Sequence, residues 1–316
     1  MKRATFAAAI GGALAVARLP AIVSAQPALT TIRVGATPID SLAPLLYAMR
    51  TGMFEKAGLK IELTTMGSGN AVSSAVAGGA LDIGLSSLVA IIQGHLRGIP
   101  FTVIAPGGLW ADFDSAGLVV ASTSPLRAAR DFNGKTISTN SLASLDTVAM
   151  QAWVDQNGGD SKTLHFFELP ALAATAALTQ GRVDGAILSN PAFAQARAGG
   201  ARTVARIYDS IAKQFLLGVY FTTTSYVDKN RIEAQRFSRV VADASGYTRA
   251  HPDVTIDDVA QITKLDKNII AHMQRTRVGT IVNASDIQPV IDASAKYTFI
   301  ERAFPASELI SDAAAR

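Results

Sequence analysis

The sequence of 316 residues contains no cysteine, few charged residues and few aromatic residues. The absence of cysteine excludes disulfide frameworks, thiolate metal sites, iron–sulfur clusters and cysteine nucleophiles. Charged residues make up 17% of the chain and hydrophobic residues 49%, which excludes the disordered and coiled-coil classes. The length is typical of about two domains with sizeable cores.

The net charge of +4 is concentrated at the N-terminus. Residues 1–25 contain Lys2, Arg3 and Arg18 and no acidic residue, so the rest of the chain has 26 basic and 25 acidic side chains. This near balance lacks the basic excess of nucleic-acid-binding proteins, and we predict no nucleic-acid partner. The positive charge therefore belongs to a targeting segment.

The N-terminal segment has the features of a secretory signal peptide. After the two basic residues, an apolar stretch covers residues 6–17, and Val-Ser-Ala at 23–25 offers the small side chains that signal peptidase reads. The alternative is an uncleaved anchor, but Arg18 and Pro20 interrupt a run already too short to span a bilayer. We predict cleavage after Ala25 and a soluble periplasmic protein, which is not lipid-anchored because no cysteine follows the signal.

The remaining sequence alternates between strand-like and helix-like segments. The predicted strands are residues 31–37, 60–65, 82–85, 101–105, 118–121, 136–138, 164–167, 183–188, 203–207 and 217–223. The predicted helices are residues 42–53, a segment opened by 67–70, and residues 88–96, 144–157, 171–180, 190–198 and 231–249. Such alternation with short loops predicts α/β architecture with mostly parallel sheets.

A short pattern occurs twice and suggests two lobes built on one plan. Gly79 and Gly181 each precede an apolar residue and an aspartate, Asp82 and Asp184, at the end of a small-residue helix. We expect each glycine to adopt a positive φ angle at the helix end and each aspartate to bond back to its own turn. Two such lobes with a cleft between them form a clam shell.

The lobe boundaries follow from where the alternation is interrupted. We predict that lobe one comprises residues 26–115 plus 215–316 and that lobe two comprises residues 116–214. Residues 106–120 and 208–217 supply the connecting strands.

Motifs for catalysis or metal binding are absent from the sequence. There is no Walker motif, no H-E-x-x-H zinc motif and no G-x-S-x-G nucleophile turn. The four histidines have no partner at metal-ligand spacing: His95, His165, His251 and His272. We therefore predict no catalytic residue, no metal and no cofactor.

Small polar residues gather where strands are followed by helices. In lobe one they are Thr37, Ser41, Ser68, Gly69, Asn70, Ser86 and Ser87, and in lobe two they are Asn140, Ser141, Ser144 and Asn190. Ligands of open α/β sheets bind beyond the carboxyl ends of strands, beside helix N-termini. Ordinary helix capping is the alternative for each single residue, but together they predict a polar cleft, with Ser68 facing Ser144.

Several segments resemble solute-binding proteins of ABC transporters, of the nitrate, sulfonate and taurine type. They are Pro-Leu-Leu-Tyr-Ala-Met at 44–49, Gly-Met-Phe at 52–54, Gly-Leu-Lys-Ile-Glu-Leu at 58–63, Gly-Ser-Gly at 67–69, Gly-Ala-Leu-Asp-Ile-Gly at 79–84, Asp-Phe-Asn-Gly-Lys-Thr-Ile at 131–137 and Gln-Gly-Arg-Val-Asp-Gly at 180–185. The likeness covers residues 31–225 in order. It implies the type II periplasmic-binding-protein fold and an ABC permease as partner.

The resemblance also implies positions for the ligand contacts. They are Ser68, Gly69, Ser86, Ser87, Ser141, Ser144 and Asn190. The chain departs from the family at 140–144, where many members have Gly-Ser-Ser. It departs again at 189–191, where Ser-Asn-Pro replaces Trp-Glu-Pro and removes an acid.

We predict a monomeric solute-binding protein that captures a small organic anion and delivers it to an ABC permease. The candidate loops contain hydroxyls, amides and helix N-termini but no arginine or lysine, which favours a sulfonate or carboxylate over a phosphate. Trp110 either covers an apolar part of the solute or packs in the hinge. Two alternatives remain open, an enzyme of the thiamine-pyrimidine type and a periplasmic sensor. The lack of cysteine opposes the first.

Overall fold

The computed structural model describes Met1, residues 28–111 and residues 114–314. The predicted cleavage site and the apolar stretch before it lie outside the described residues. The fold is α/β with two five-stranded sheets, each flanked by helices.

The first sheet has the strand order β2-β1-β3-β12-β4. Its strands are β1 (Thr30–Ala36), β2 (Leu59–Thr65), β3 (Ile83–Ser87), β4 (Phe101–Pro106) and β12 (Gly218–Thr223). The helices that connect them are α1 (Ala43–Arg50), α2 (Met53–Lys56), α3 (Gly69–Ala77) and α4 (Leu88–Leu96). Four strands run in one direction, and β12 runs antiparallel to both of its neighbours.

The second sheet repeats this plan with the strand order β10-β6-β9-β7-β8. Its strands are β6 (Ala116–Val120), β7 (Thr136–Thr139), β8 (His165–Glu168), β9 (Gly185–Ser189) and β10 (Arg202–Ala205). Its helices are α5 (Leu145–Gln156), α6 (Ala171–Thr179) and α7 (Ala192–Ala198). Again four strands run in one direction and one, β6, runs against its neighbours. The predicted common plan of the two lobes is therefore confirmed.

In each sheet, the antiparallel strand is the one that follows the crossing of the chain from the other lobe. This strand is β12 in the first sheet and β6 in the second. Beside the crossings, β5 (Leu109–Trp110) and β11 (Phe215–Leu216) pair as a two-stranded antiparallel ribbon. This ribbon joins the two lobes.

The C-terminal region is mainly helical. It contains α8 (Thr224–Lys229), α9 (Arg231–Ala250), α10 (Ile256–Thr263), α11 (Lys267–His272) and α12 (Gln288–Lys296). Helix α9 packs on α1 and β4, whereas α11 contacts α7 and α12 contacts both α4 and α5. The C-terminal region therefore contacts both lobes.

The core is formed by strands that are covered by helices on both faces. Every residue of β4 and of β6 is buried, as expected for strands in the interior layer of an α/β lobe. One apolar cluster runs from α4 through Trp110, Tyr208 and Phe215 to α5. Each large apolar side chain buried in this way contributes about 1.5–3 kcal/mol to stability.

The repeated glycine and aspartate pattern has the same local structure in both lobes. Gly79 and Gly181 have φ angles of +74° and +66°, which confirms the predicted turns. The expected bond of each aspartate to its own turn is wrong. Asp82 accepts the backbone N–H of Arg33 at 2.8 Å, and Asp184 accepts that of Thr136 at 2.9 Å. Each carboxylate is drawn to the neighbouring strand because that strand's N–H needs a partner there.

Candidate functional site

A cavity of about 130 Å³ lies between the lobes, where the carboxyl ends of two strands from each sheet face one another. In lobe one the lining segments follow β1, β2 and β3, and in lobe two they follow β7 and β9. Strands β1 and β3 occupy places in the first sheet that are equivalent to those of β7 and β9 in the second, and lobe one adds the segment after β2. This is the edge at which open α/β sheets bind ligands.

Ten of the twelve predicted site residues line this cavity. They are Thr37, Ser41, Gly69, Asn70, Ser86, Ser87, Asn140, Ser141, Ser144 and Asn190. The other two, Ser68 and Trp110, do not line it. We call the lobe-one set Thr37, Ser41, Gly69, Ser86 and Ser87 the first wall, and the lobe-two set Asn140, Ser141, Ser144, Asp146 and Ser189 the second wall.

The first wall is held together by the close approach of Ser86 to Gly69. The Ser86 hydroxyl donates to the Gly69 carbonyl at 2.9 Å, and a Cβ atom at position 69 would lie 2.5 Å from the Ser86 Oγ. Only glycine fits this contact. Ser68 caps α3 by accepting the Ala71 N–H at 3.3 Å, so its hydroxyl serves the helix.

Ser87 provides an unsatisfied group in the first wall. Its Oγ atom is buried and has no hydrogen-bond partner among the described residues. Because buried hydroxyls rarely lack a partner, this atom is available to a solute in the cavity.

The second wall contains a carboxylate that the sequence analysis did not identify. Asp146 lies in the first turn of α5, accepts the Tyr208 hydroxyl at 2.5 Å, and accepts the Thr139 hydroxyl at 3.3 Å. Burial raises the pKa of Asp146 above its ordinary value, although these hydrogen bonds act in the opposite direction. Burial and the nearby Asp146 charge also raise the pKa of Tyr208, which therefore remains a donor.

The aromatic cluster beside the ribbon fixes Tyr208 in place. Trp110 is fully buried, packs edge-on against Tyr208 with ring centroids 5.1 Å apart, and donates its indole N–H to Asp209 at 2.9 Å. The guanidinium of Arg206 lies 4.7 Å from the Trp110 ring centroid. Trp110 therefore packs in the hinge behind Tyr208, as the second of the two alternatives predicts, and does not line this cavity. The indole is already satisfied there by protein groups.

Neither Asp146 nor Tyr208 carries a distinctive signal in the sequence. An acidic residue in the first turn of a helix is common because it complements the helix dipole. Tyr208 belongs to a connecting segment, where no periodicity indicates the direction of its side chain. Among the described residues, Asp146 is the one carboxylate that lines the cavity, and no lysine, arginine or histidine lines it.

Hydrogen bonds join the two sides of the cleft. The Asn70 amide donates to the Ser141 hydroxyl at 2.7 Å, and the Asp40 N–H donates to the Asn190 carbonyl at 3.3 Å. The Asn190 amide also donates to the Gln274 carbonyl at 2.6 Å. The pair that meets across the cleft is therefore Asn70 with Ser141, in place of the predicted Ser68 with Ser144.

Two structural features are absent from the described part of the chain. No group of three or more histidine, aspartate or glutamate side chains is arranged there to hold a metal ion. Among the same residues, no helix combines the length and the apolar character needed to cross a membrane.

Known proteins resemble this chain over most of its length. A Bacillus subtilis (strain 168) relative that is named as an aliphatic sulfonates-binding protein is 25% identical over 282 residues, which is 87% of this chain and 82% of the relative. The profile of the family described as NMT1/THI5 like matches residues 40–255.

Two solved structures show the same fold. The periplasmic aliphatic sulphonate binding protein SsuA of Escherichia coli has a TM-score of 0.73 at 20% identity, with 89% of this chain and 92% of that chain covered. The alkanesulfonate-binding protein SsuA of Xanthomonas axonopodis pv. citri, bound to MOPS, has a TM-score of 0.75 at 18% identity, with 91% and 99% covered. The fold is the periplasmic-binding-protein fold, and the chain belongs to the NMT1/THI5-like family.

Proposed function

We propose that this protein is a solute-binding protein that captures a small organic acid between its lobes and delivers it to an ABC permease. The observation that carries the proposal is the cavity of about 130 Å³ between the lobes, to which loops of both lobes contribute polar side chains. The matched relatives include proteins named for binding aliphatic sulfonates or alkanesulfonates.

The chemistry of the first wall supports a sulfonate or carboxylate. The wall contains hydroxyls, including the unpartnered Ser87 Oγ, together with the N-termini of α3 and α4. Such groups donate hydrogen bonds to anionic oxygens without a full positive charge. The cavity contains no arginine or lysine among the described residues, so a phosphate with two charges is poorly compensated.

The proposed mechanism is closure of the cleft around the solute. A solute that contacts both walls stabilises the closed arrangement in which Asn70 reaches Ser141, and the permease recognises that arrangement. The ribbon of β5 and β11 joins the lobes and is the place where a hinge motion acts. In this proposal lobe one comprises residues 26–115 plus 215–316 and lobe two residues 116–214.

We propose that the mature protein works as a monomer in the periplasm after cleavage behind Ala25. The intact mass of the secreted protein tests this directly, because a mature chain begins at Gln26. Retention of residues 1–25 in the secreted protein contradicts the proposal.

Calorimetry and thermal shift test the binding function, using protein that has been unfolded and refolded to remove any copurified solute. The panel comprises sulfonates, carboxylates, nitrate and pyrimidines, and a solute at 100 times its Kd stabilises the folded state by about 2.7 kcal/mol. Ser87→Ala should weaken binding with little loss of stability, because the Ser87 hydroxyl has no protein partner. The exposed Ser74→Ala on α3 is the control.

The same preparation separates the alternatives. Stoichiometric binding without turnover supports the proposal, and turnover of a pyrimidine precursor favours an enzyme. Uptake of the solute by cells that lack the protein, compared with wild-type cells, distinguishes transport from sensing.

A further inference from the structure

We propose that Asp40 and Arg275 are positioning residues, which hold residues 274–279 against lobe one beside the cavity so that Gln274 bonds to lobe two when the cleft closes. We call residues 274–279 the strap. The inference rests on the proposed solute-binding function and adds the C-terminal region to the mechanism of closure. It gives a role to the Asp40 carboxylate, which is 1% exposed and which the proposed function does not use.

The strap is attached to lobe one through a buried ion pair. The Arg275 Nε atom donates to Asp40 Oδ1 at 2.7 Å, and the Thr276 N–H donates to Asp40 Oδ2 at 2.5 Å. The other Arg275 nitrogens donate to the Pro252 carbonyl at 2.6 Å and to the Thr255 hydroxyl at 2.9 Å. Because the separation of a buried pair leaves an uncompensated charge, this attachment persists when the lobes move.

The backbone of the strap adds a second attachment on the same side. The Leu109 N–H donates to the Arg277 carbonyl at 2.8 Å, and the Gly279 N–H donates to the Gly107 carbonyl at 3.1 Å. These bonds pair the strap antiparallel with the segment that leads from β4 into the ribbon of β5 and β11. The strap therefore stays with lobe one.

Gln274 connects the strap to the other side of the cleft by weaker bonds. Its carbonyl accepts the Asn190 amide at 2.6 Å, and its Oε1 accepts the Asp114 N–H at 2.8 Å. Asp114 lies shortly before β6, and its ion pair with Arg197 of α7, at 2.7 Å, ties it to lobe two. Both Gln274 bonds join neutral groups, and Gln274 is exposed, so water replaces these bonds at little cost. The bonds that break on opening are therefore those of Gln274.

Asp40 also connects the strap to the cavity. Its neighbour Ser41 belongs to the first wall, and Thr276 of the strap lines the same cavity. The Asp40 N–H donates to the Asn190 carbonyl at 3.3 Å, and the Asn190 amide donates in turn to Gln274. Asp40, Asn190 and the strap thus form a closed ring of hydrogen bonds, and a solute that closes the cleft completes this ring.

Amide hydrogen exchange of protein refolded without solute tests the inference. We expect the Thr276 N–H, which donates to the buried Asp40, to be protected at least about tenfold more than the Asp114 N–H, whose bond to Gln274 breaks on opening. Because no solute is added, this comparison stands even if the proposed binding function fails.

Substitutions separate a positioning role from a structural one. Gln274→Met, which removes the acceptor, should lower the protection of the Asp114 N–H by about 2- to 13-fold, whereas Gln274→Glu, which keeps an acceptor oxygen, should retain it. Arg275→Gln should lower this protection by a similar factor although Gln274 is unchanged. Arg50→Gln is the matched control and should leave it unchanged, because Arg50 ties α1 to Asp258 of α10 instead of holding the strap.

Equal protection of the Thr276 and Asp114 amides overturns the inference, because the strap is then bound alike to both lobes. Unchanged Asp114 protection in folded Arg275→Gln also overturns it, as does an equal loss in Arg50→Gln. If Arg275→Gln does not fold, the wild-type comparison and the two Gln274 variants decide.

A second measurement adds the mixed panel of sulfonates, carboxylates, nitrate and pyrimidines to the wild-type protein. The Asp114 N–H should gain protection when a member of the panel binds. Binding seen by calorimetry without this gain overturns the inference. If calorimetry shows no binding of any member, the result counts against the proposed function, and exchange of the solute-free protein decides the inference.

Discussion

The hydrogen bond between Asn70 and Ser141 offers a direct test of cleft closure. The Asn70 amide belongs to α3 of lobe one and the Ser141 hydroxyl to the loop after β7 of lobe two, with 2.7 Å between them. Opening the cleft separates these groups and exposes both to water. Removal of the bond should therefore affect the balance between open and closed forms and leave the folding of each lobe nearly unchanged.

The size of the effect follows from the chemistry of the bond. A hydrogen bond between two neutral groups contributes about 0.5–1.5 kcal/mol net, because water replaces it when it breaks. If closure accompanies binding, the loss of this energy weakens the affinity by about 2- to 13-fold. The melting temperature of the ligand-free protein should change little, since neither group supports a helix cap or a core contact.

A double-mutant cycle measures this energy separately from any contact with the solute. Asn70→Ala, Ser141→Ala and the combined variant are titrated by calorimetry with the solute found in the panel. The expected coupling free energy between the two sites is about 0.5–1.5 kcal/mol. X-ray scattering of the same variants should show a larger radius of gyration for the ligand-free protein.

Two outcomes refute the reasoning. If the effects of the two substitutions are additive, the bond makes no contribution to closure. If the radius of gyration of the wild-type protein is the same with and without saturating solute, the protein binds without closing. The exposed Ser74→Ala on the same helix should behave as wild type throughout.

Three further substitutions test individual features of the site. Gly69→Ala should weaken solute binding and lower the free energy of unfolding, because the added Cβ atom would lie 2.5 Å from the Ser86 Oγ. Calorimetry should show that the affinity recovers when Ser86→Ala is added to this variant. An affinity that does not recover contradicts the contact. Trp110→Phe should lower the free energy of unfolding by about 1–3 kcal/mol in denaturant titrations, because the smaller ring leaves a void at a fully buried site and cannot donate to Asp209, and an unchanged value would argue against a structural role. The raised pKa of Asp146 means that the folded state binds a proton more tightly than the unfolded state, so the Asp146 contribution to stability is present below pH 3.8 and is lost as the pH rises through the folded pKa. Asp146→Asn should accordingly gain melting temperature relative to wild type as the pH rises towards neutrality, and a constant difference would refute this assignment.

The α/β architecture could be predicted from the sequence because the patterns that indicate it are local and repeated. Alternating strands and helices, and glycines at helix ends, depend on neighbouring residues only. The hydrogen-bond donors to Asp82 and Asp184 could not be predicted from the sequence, because each aspartate accepts from a strand that lies about 50 residues away along the chain. Which N–H group needs an acceptor depends on the order of strands in the sheet.

The sequence predicts the part of the candidate site that is formed by loops at the ends of strands. Loops after equivalent strands meet in the cleft, so residues such as Ser87 and Asn190 are placed by topology. Ser68 and Trp110 lie near the cleft but already have protein partners. Asp146 and Tyr208 come from different parts of the chain and meet only in three dimensions.

The position of β12 has a consequence for the order in which this chain folds. Strand β12 lies between β3 and β4, so these two strands of the first sheet are not bonded to each other. The first lobe therefore cannot complete its sheet until residues 218–223 have been synthesised, more than 110 residues after β4. Contacts of such long range slow folding. We propose that this chain is exported. Its N-terminal part then stays incompletely folded until β12 has been synthesised.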